Sequence, residues 1–233
     1  MRRASLRLPL LPLLAALGLG LLSACATEEE AFRADLPDDA YPLEDMLLSL
    51  DDLPIAMDNA NTNTFDNPSW AQLFNEENLR GKITQLDARG RVTGAMREFS
   101  WSGSFALGGP AFITVQSTLY SDVEAAEDSL SLFCGALVDE RGATDFTEFW
   151  VASIGDGAQG LLLGEQVEGL GRLVKTMVCF RTGRVVHAVA QNGLDGSQDI
   201  ALSVRIAHRM YDQVRTVFAE LDEFEPAEDA GPS

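Results

Sequence analysis

The 233-residue sequence predicts an α+β fold, an antiparallel sheet of about six strands with two main amphipathic helices packed on one face. Three observations carry that prediction. Between residues 91 and 191, short runs rich in β-branched and aromatic residues are split by glycine-bearing turns, the pattern of an antiparallel meander. Two other segments, 121–137 and 200–221, place apolar residues at steps of three and four, the period of a helix. The order is strand, strand, helix, four strands, helix, which segregates the helices instead of alternating them with strands.

The elements follow in chain order. Met46, Leu47, Leu50 and Leu53 recur at helical spacing before Pro54, so Leu43–Leu50 is expected to be a short helix or turn docked on the body. Asp58–Pro68 is rich in Asn and Thr and reads as a loop. Trp70, Leu73 and Phe74 form an apolar stripe, a short helix ending before Gly81. Arg91–Trp101 reads as a strand with Gly94 inside it, and Ser102–Pro110 as a glycine-rich loop. Ala111–Tyr120 alternates, with Ile113, Val115, Ser117 and Leu119 on one side, as a half-buried strand does. Ser121 and Glu124 have the spacing of a capping box, and Val123, Ala126, Leu130, Phe133 and Leu137 continue the helix behind it. After a polar connection, Asp139–Asp145, come strands at Phe146–Ile154, Gly160–Val167, Leu173–Phe180 and Val185–Gln191. Their turns hold Gly155-Asp156-Gly157, Gly169–Gly171 and Thr182-Gly183. Ile200, Val204, Ala207, Tyr211, Val214, Phe218 and Leu221 then step four, three, four, three, four, three, the strongest helical signal in the chain.

The N-terminus reads as a targeting segment. Arg2, Arg3 and Arg7 precede an apolar run, Leu8–Leu22, which ends in Leu22-Ser23-Ala24-Cys25. A basic start, a short apolar middle and small residues before the cut make a secretory signal. The run falls short of the roughly 20 residues a membrane-spanning helix needs, and it contains Pro9 and Pro12. The last four residues match the lipobox of bacterial lipoproteins: small side chains fit a peptidase pocket, and the Cys25 thiol takes the lipid. A plain signal peptide followed by a stray cysteine is the alternative. Lipidation of Cys25 implies anchoring in the cell membrane or outer membrane, facing outside the cytoplasm. Ala26, which is not Asp, favours the outer membrane if the cell has two. The expected organisation is a signal peptide over 1–24, an acidic, extended tether over 25–40, a single domain over 41–222 and a disordered acidic tail over 223–233.

The formal charge is −19, and loss of the three signal arginines makes the processed chain more negative still. Such acidity excludes nucleic acid as a partner and opposes adhesion to anionic headgroups. Once Cys25 carries lipid, Cys134 and Cys179 remain, an even number in an oxidising compartment, which suggests one disulfide against the alternative of two buried thiols. Two thiols and two histidines do not suggest a zinc site, and neither metal nor cofactor is expected.

Catalytic patterns are missing. The sequence has no Gly-x-Ser-x-Gly elbow, phosphate-cradling Gly-x-x-x-x-Gly-Lys, His-Glu-x-x-His or calcium loop. The glycine pairs around Asp156 and Leu170 do not lead from a strand into a helix, so they read as hairpin turns. His187, beside Val185 and Val189 on one side of its strand, and His208, next to the apolar stripe of the last helix, are the proton-transfer candidates near neutral pH. A structural or surface role explains each more simply, and a Cys134–His187 thiol enzyme conflicts with an oxidising compartment. Carboxylate pairs such as Asp51-Asp52 and Glu76-Glu77 are too numerous for one to stand out. Trp70, Trp101 and Trp150, with Phe105, Phe112 and Phe149, either line an apolar cleft or fill the core. Adjacent Phe149 and Trp150 must face opposite sides of a strand, so one of them leaves the core side.

Several of these segments together resemble a known family. They are Met46-Leu47-Leu48-Ser49-Leu50-Asp51-Asp52-Leu53-Pro54, Gly90-Arg91-Val92-Thr93-Gly94, Leu119-Tyr120-Ser121, Ile154-Gly155-Asp156-Gly157-Ala158 and the hairpin Val178 to Val186. Over roughly residues 43–222 the outline is similar to the sensor-type domains of actinobacterial lipoproteins and of the outer half of PknH-type receptor kinases. The resemblance implies an antiparallel sheet with helices, a cleft, disulfides, and ligand or partner binding without catalysis. It carries over no ligand-binding residue, and Cys134 and Cys179 match only in part. The expected function is therefore a membrane-anchored, non-enzymatic ligand-binding or sensor domain, engaging a small ligand or an envelope protein. The alternatives are an assembly lipoprotein docking an envelope partner and an envelope enzyme using His187 or His208.

Overall fold

The computed structural model describes residues 32, 34–73, 78–101, 109–131, 145–169 and 171–224. They form one seven-stranded sheet: β1 (Asn59–Asp66), β2 (Arg91–Ser100), β3 (Phe112–Tyr120), β4 (Asp145–Phe149), β5 (Gly157–Val167), β6 (Gly171–Thr182) and β7 (Val185–Leu194). The spatial order is β1-β2-β3-β7-β6-β5-β4, with every neighbouring pair antiparallel. Two meanders therefore meet where β3 pairs with β7. Helices α1 (Asn67–Leu73) and α2 (Leu79–Ala88) lie between β1 and β2 in the chain, α3 is described over 123–131 between β3 and β4, and α4 (Ile200–Phe224) closes the body.

The register decides which side chains share a face. Val115 stands opposite Val189, and Val189 opposite Val178. These residues, with Ile113, Leu119, Val185 and Phe180, form the main core with Leu202, Ile206, Met210, Val214 and Phe218 of α4. The intervening residues point the other way. Met177, Cys179, Ala188 and Ala190 pack with Leu161 and Leu163, and Leu130 of α3 lies against them. Ala126 of α3 packs on Tyr120 and Val186. The two amphipathic helices thus cover opposite faces, which corrects the expectation of helices on one face. The cause lies in the alternation of the strands: α4 takes the face of Val115, Val178 and Val189, which leaves the face of Tyr120, Cys179 and Val186 for α3.

A second difference is β1. Asn59–Asp66 was expected to be a loop, but it pairs along its whole length with β2. Only Phe65 of its eight residues is buried, so an exposed edge strand gives no apolar alternation. Helix α2 also escaped the sequence reading, because only Lys82 and Leu86 are buried on it. The strand expected over 146–154 stops at Phe149. A simple N-cap one residue later replaces the expected capping box: the Asp122 carboxylate accepts from Ala125 N at 2.8 Å and from the Ser121 hydroxyl at 2.9 Å, and Ala125 has no side-chain acceptor to return the bond.

The N-terminal segment completes the main core as a strap, with turns and 3-10 segments where a short helix or turn was expected. Tyr41, Leu43, Met46, Leu47, Leu48 and Leu53 are buried in it. Each such side chain contributes about 1.5–3 kcal/mol by leaving water. Polar bonds fix its path: Arg97 donates to Leu48 O at 2.8 Å, Gln213 to Asp45 O at 2.8 Å and Thr64 to the Glu44 carboxylate at 2.6 Å. Docking starts well before Tyr41. Phe32 packs edge-on against Tyr211 and Phe218 at 5.9 and 5.3 Å, so the compact body begins inside the segment expected to be a free tether.

Candidate functional site

The sequence-predicted site residues scatter. Cys25 and Cys134 lie outside the described residues, as do Glu76, Glu77 and Phe105. Cys179 is fully buried on the α3 face of β6. Trp70 and Trp101 follow opposite ends of the β1–β2 ribbon, and Trp150 follows the far edge strand, so the three do not gather around one cleft. Trp150 is 86% exposed, while its neighbour Phe149 packs against the main core, the split that their adjacency requires. Asp52 serves its own turn, accepting from Ser49 N and Oγ at 2.7 and 2.6 Å. Among the described residues, no group of three or more His, Cys, Asp or Glu is placed to hold a metal ion. No described helix is long and apolar enough to cross a membrane.

His187 sits in the core beneath α4 with no solvent exposure. Its Nδ1 lies 2.9 Å from Ser117 Oγ and its Nε2 2.8 Å from Thr182 Oγ1, and the ring stacks on Phe180 at 4.7 Å. Burial pulls its pKa from 6.5 to about 3, so the ring is neutral at physiological pH. A sealed, neutral imidazole held by two hydroxyls organises the core and has no path to a substrate. His208 is exposed on α4. Nearby, Thr176 and Gln191 face each other across β6 and β7, and Gln191 donates to Ser203 Oγ at 2.6 Å. Thr176 Oγ1 and Gln191 Oε1 are buried without partners, leaving a donor and an acceptor that one internal water would bridge.

Two arginines organise one end of the sheet. Arg184, in the β6–β7 turn, donates from Nε to Tyr120 O at 2.9 Å, from Nη1 to Leu36 O at 3.0 Å and from Nη2 to the Asp38 carboxylate. Its guanidinium also lies over the Tyr41 ring at 5.3 Å. It therefore clamps the incoming N-terminal segment to the sheet. Arg181 pairs with Asp156 at 3.0 Å, and the same carboxylate accepts from Gly183 N at 2.7 Å. Gly155 has φ +57° and lies so close to Arg181 O that a Cβ would come within 2.2 Å of it.

The most unusual group is Arg91, at the start of β2, which the sequence placed in the segment Gly90–Gly94 without giving it a role. It is only 5% exposed, yet both its acceptors are neutral: Asn67 Oδ1 at 2.6 Å and Phe65 O at 3.2 Å. The nearby Asp87 carboxylate is taken by Asn67, which donates to it at 2.7 Å. The Arg91 Nε–H is buried without an acceptor. The Trp70 ring covers the guanidinium at 5.1 Å, and Gly94 lies beneath it, where a Cβ would meet Nη2 at 3.0 Å and Thr118 Oγ1 at 3.2 Å. Burial lowers the Arg91 pKa from 12.5 to about 10, opposed by the charges of Tyr120 and Asp66, so it stays cationic at neutral pH. Burial also raises the Tyr120 hydroxyl. Gly94 was the available signal, since an isolated glycine within a strand marks close approach by another group.

Comparison with known proteins gives little beyond a loose likeness. No protein-family profile matches the chain, and no curated protein matches its sequence. Among solved structures, it is similar to the extracellular domain of PknH from Mycobacterium tuberculosis, at 12% identity over 69% of this chain and 80% of that one, with a TM-score of 0.41.

Proposed function

We propose that the chain is an exported lipoprotein, acylated on Cys25, whose α+β body acts outside the cytoplasm as a non-enzymatic ligand-binding or sensor domain. One observation carries this reading: the body grips its own N-terminal segment through Arg184 and through Phe32 on α4. Six residues lie between Cys25 and Phe32, a reach of about 25 Å at most. A lipid on Cys25 would hold the body close to the bilayer, and the acidity of the chain would keep it from lying on anionic headgroups. The sealing of His187 removes one of the two proton-transfer candidates from contact with any substrate. A Cys134–Cys179 disulfide belongs to the same proposal, since these are the two cysteines left in an oxidising compartment once Cys25 carries lipid.

Intact-mass analysis of the membrane fraction tests the anchor. The expected species begins at acylated Cys25, and a Cys25→Ser chain leaves the membrane fraction. An unprocessed form starting at Met1 and recovered from cytosol refutes it. The assembly alternative gains support from Trp150, whose 86% exposed indole ends the edge strand β4. A stoichiometric envelope complex that Trp150→Ser dissolves would favour that alternative over ligand sensing.

A further inference from the structure

The connections at one end of the sheet converge on the point where the N-terminal segment docks. Leu36 O and Asp38 hold Arg184 in the β6–β7 turn, and a Cβ on Gly183 of that turn would lie 3.2 Å from Phe32 O. Strand β3 reaches the same end, since Tyr120 N donates to Arg184 O at 3.0 Å, and α3 starts just beyond it. Strand β4 runs there along the far edge: Phe149 stands opposite Gly160, and nearer the start of β5 Gly157 stands opposite Arg181, beside the turn. Trp150 follows Phe149, and the chain returns through Ile154 to Asp156, which accepts from Gly183 N. Trp150 is the most exposed large hydrophobic side chain among the described residues, and Val123 at the start of α3 is exposed as well.

Chain length brings the membrane to this end. About 25 Å of chain at most joins Cys25 to Phe32. Strand β4 lies two places from β6, about 10 Å across the sheet, so Trp150 is within the radius that the tether allows. An indole suits the boundary between headgroups and acyl chains, where its ring meets apolar atoms and its N–H meets polar ones. Charge selects the headgroup. Arg181 and Arg184 are neutralised by Asp156 and Asp38, and Asp39, Asp122 and Glu124 stand exposed at the same end, which makes it acidic. Zwitterionic headgroups repel such a surface less than anionic ones do.

We propose that this end of the sheet is the bilayer-facing surface of the anchored protein, with Trp150 seated among zwitterionic headgroups. This rests on the acylation of Cys25 given above and extends it. A lipid on a short tether leaves the body free to swivel, and a second contact at the same end fixes its tilt. The opposite end, which carries Trp101 and the start of α4, is then held away from the membrane.

The test uses the full chain, acylated in a bacterial host and reconstituted into phosphatidylcholine vesicles with or without bromine on the upper acyl chains. Bromine quenches an indole only at close range, so the tryptophan emission of the parent is expected to drop in brominated vesicles. Trp150→Ser, which keeps Trp70 and Trp101, is expected to lose most of that drop. Exchanging part of the phosphatidylcholine for phosphatidylglycerol at low ionic strength is expected to reduce the quenching. Equal emission in brominated and plain vesicles, a drop unchanged in Trp150→Ser, or stronger quenching with phosphatidylglycerol overturns the proposal. A stoichiometric envelope complex that Trp150→Ser dissolves also overturns it, because the indole is then covered by a protein. Flotation of the same vesicles separates this proposal from the reading beneath it. A chain that floats without quenching keeps the anchor and loses the bilayer-facing end, while a chain that carries no lipid on Cys25 and does not float loses both.

Discussion

Acidification from pH 7 to pH 5 should destabilise this protein through His187 by a calculable amount. The ring is neutral in the fold, with a pKa near 3, and titrates near 6.5 in the unfolded chain. A depressed folded-state pKa gives stability that is complete above the unfolded value and is lost as pH falls from about 6.5 toward 3, because only the unfolded chain takes up the proton. At about 1.4 kcal/mol per pH unit, the loss between pH 7 and pH 5 is about 2 kcal/mol. Asp52, Asp66 and Asp122 have carboxyl groups held below their ordinary range by hydrogen bonds from Ser49, Ser69 and Ala125, so they titrate below this window. Urea denaturation at pH 7, 6 and 5, compared with His187→Gln, isolates the effect. The glutamine can bond to Ser117 and Thr182 but cannot titrate. It should cost about 1–2 kcal/mol at pH 7, through lost stacking on Phe180, and nearly match the parent at pH 5. Parallel stability curves for the two proteins across that range would show that the imidazole is not sealed as described.

Other perturbations have distinct signatures. Arg184→Met removes three hydrogen-bond donors and leaves Leu36 O and Tyr120 O without them, and should cost about 3 kcal/mol. Limited proteolysis should then cut first within residues 32–41, where the parent resists. Gly155→Ala forces a Cβ against Arg181 O in a left-handed backbone and should lower stability by about 1–3 kcal/mol, read from the urea midpoint. Trp150→Ser should leave the urea midpoint within about 0.5 kcal/mol of the parent, since 86% of that residue is already in water.

The parts of the fold legible in the sequence are those that bury a regular stripe. Helix α4 and strands β3, β6 and β7 reach the core on one or both faces, so their period is written in Ile113, Val115, Leu119, Val178, Val185, Val189 and the residues from Leu202 to Phe218. Ser117 and His187 were assigned to the correct side of their strands for the same reason. Strand β1 was illegible because Asn59-Ala60-Asn61-Thr62-Asn63-Thr64 owes its conformation to β2, a tertiary pairing that overrides poor strand propensity. The face taken by α3 was illegible too, because amphipathicity shows that a helix packs on a sheet but not on which side. The buried arginine left one trace, Gly94. Its neutral partners, Asn67 and Phe65 O, become visible only when β1 and α1 fold against β2.

The Arg184 clamp also sets an order of events. Leu36 and its guanidinium partner are 148 residues apart in the chain, and Phe32 waits for aromatic rings on α4, the last element made. The strand at the centre of the sheet, β7, is likewise the last strand synthesised. The segment from Phe32 to Tyr41 precedes every strand in the chain yet is among the last to find its seat, and it stays unfolded and reachable until the C-terminal helix is in place.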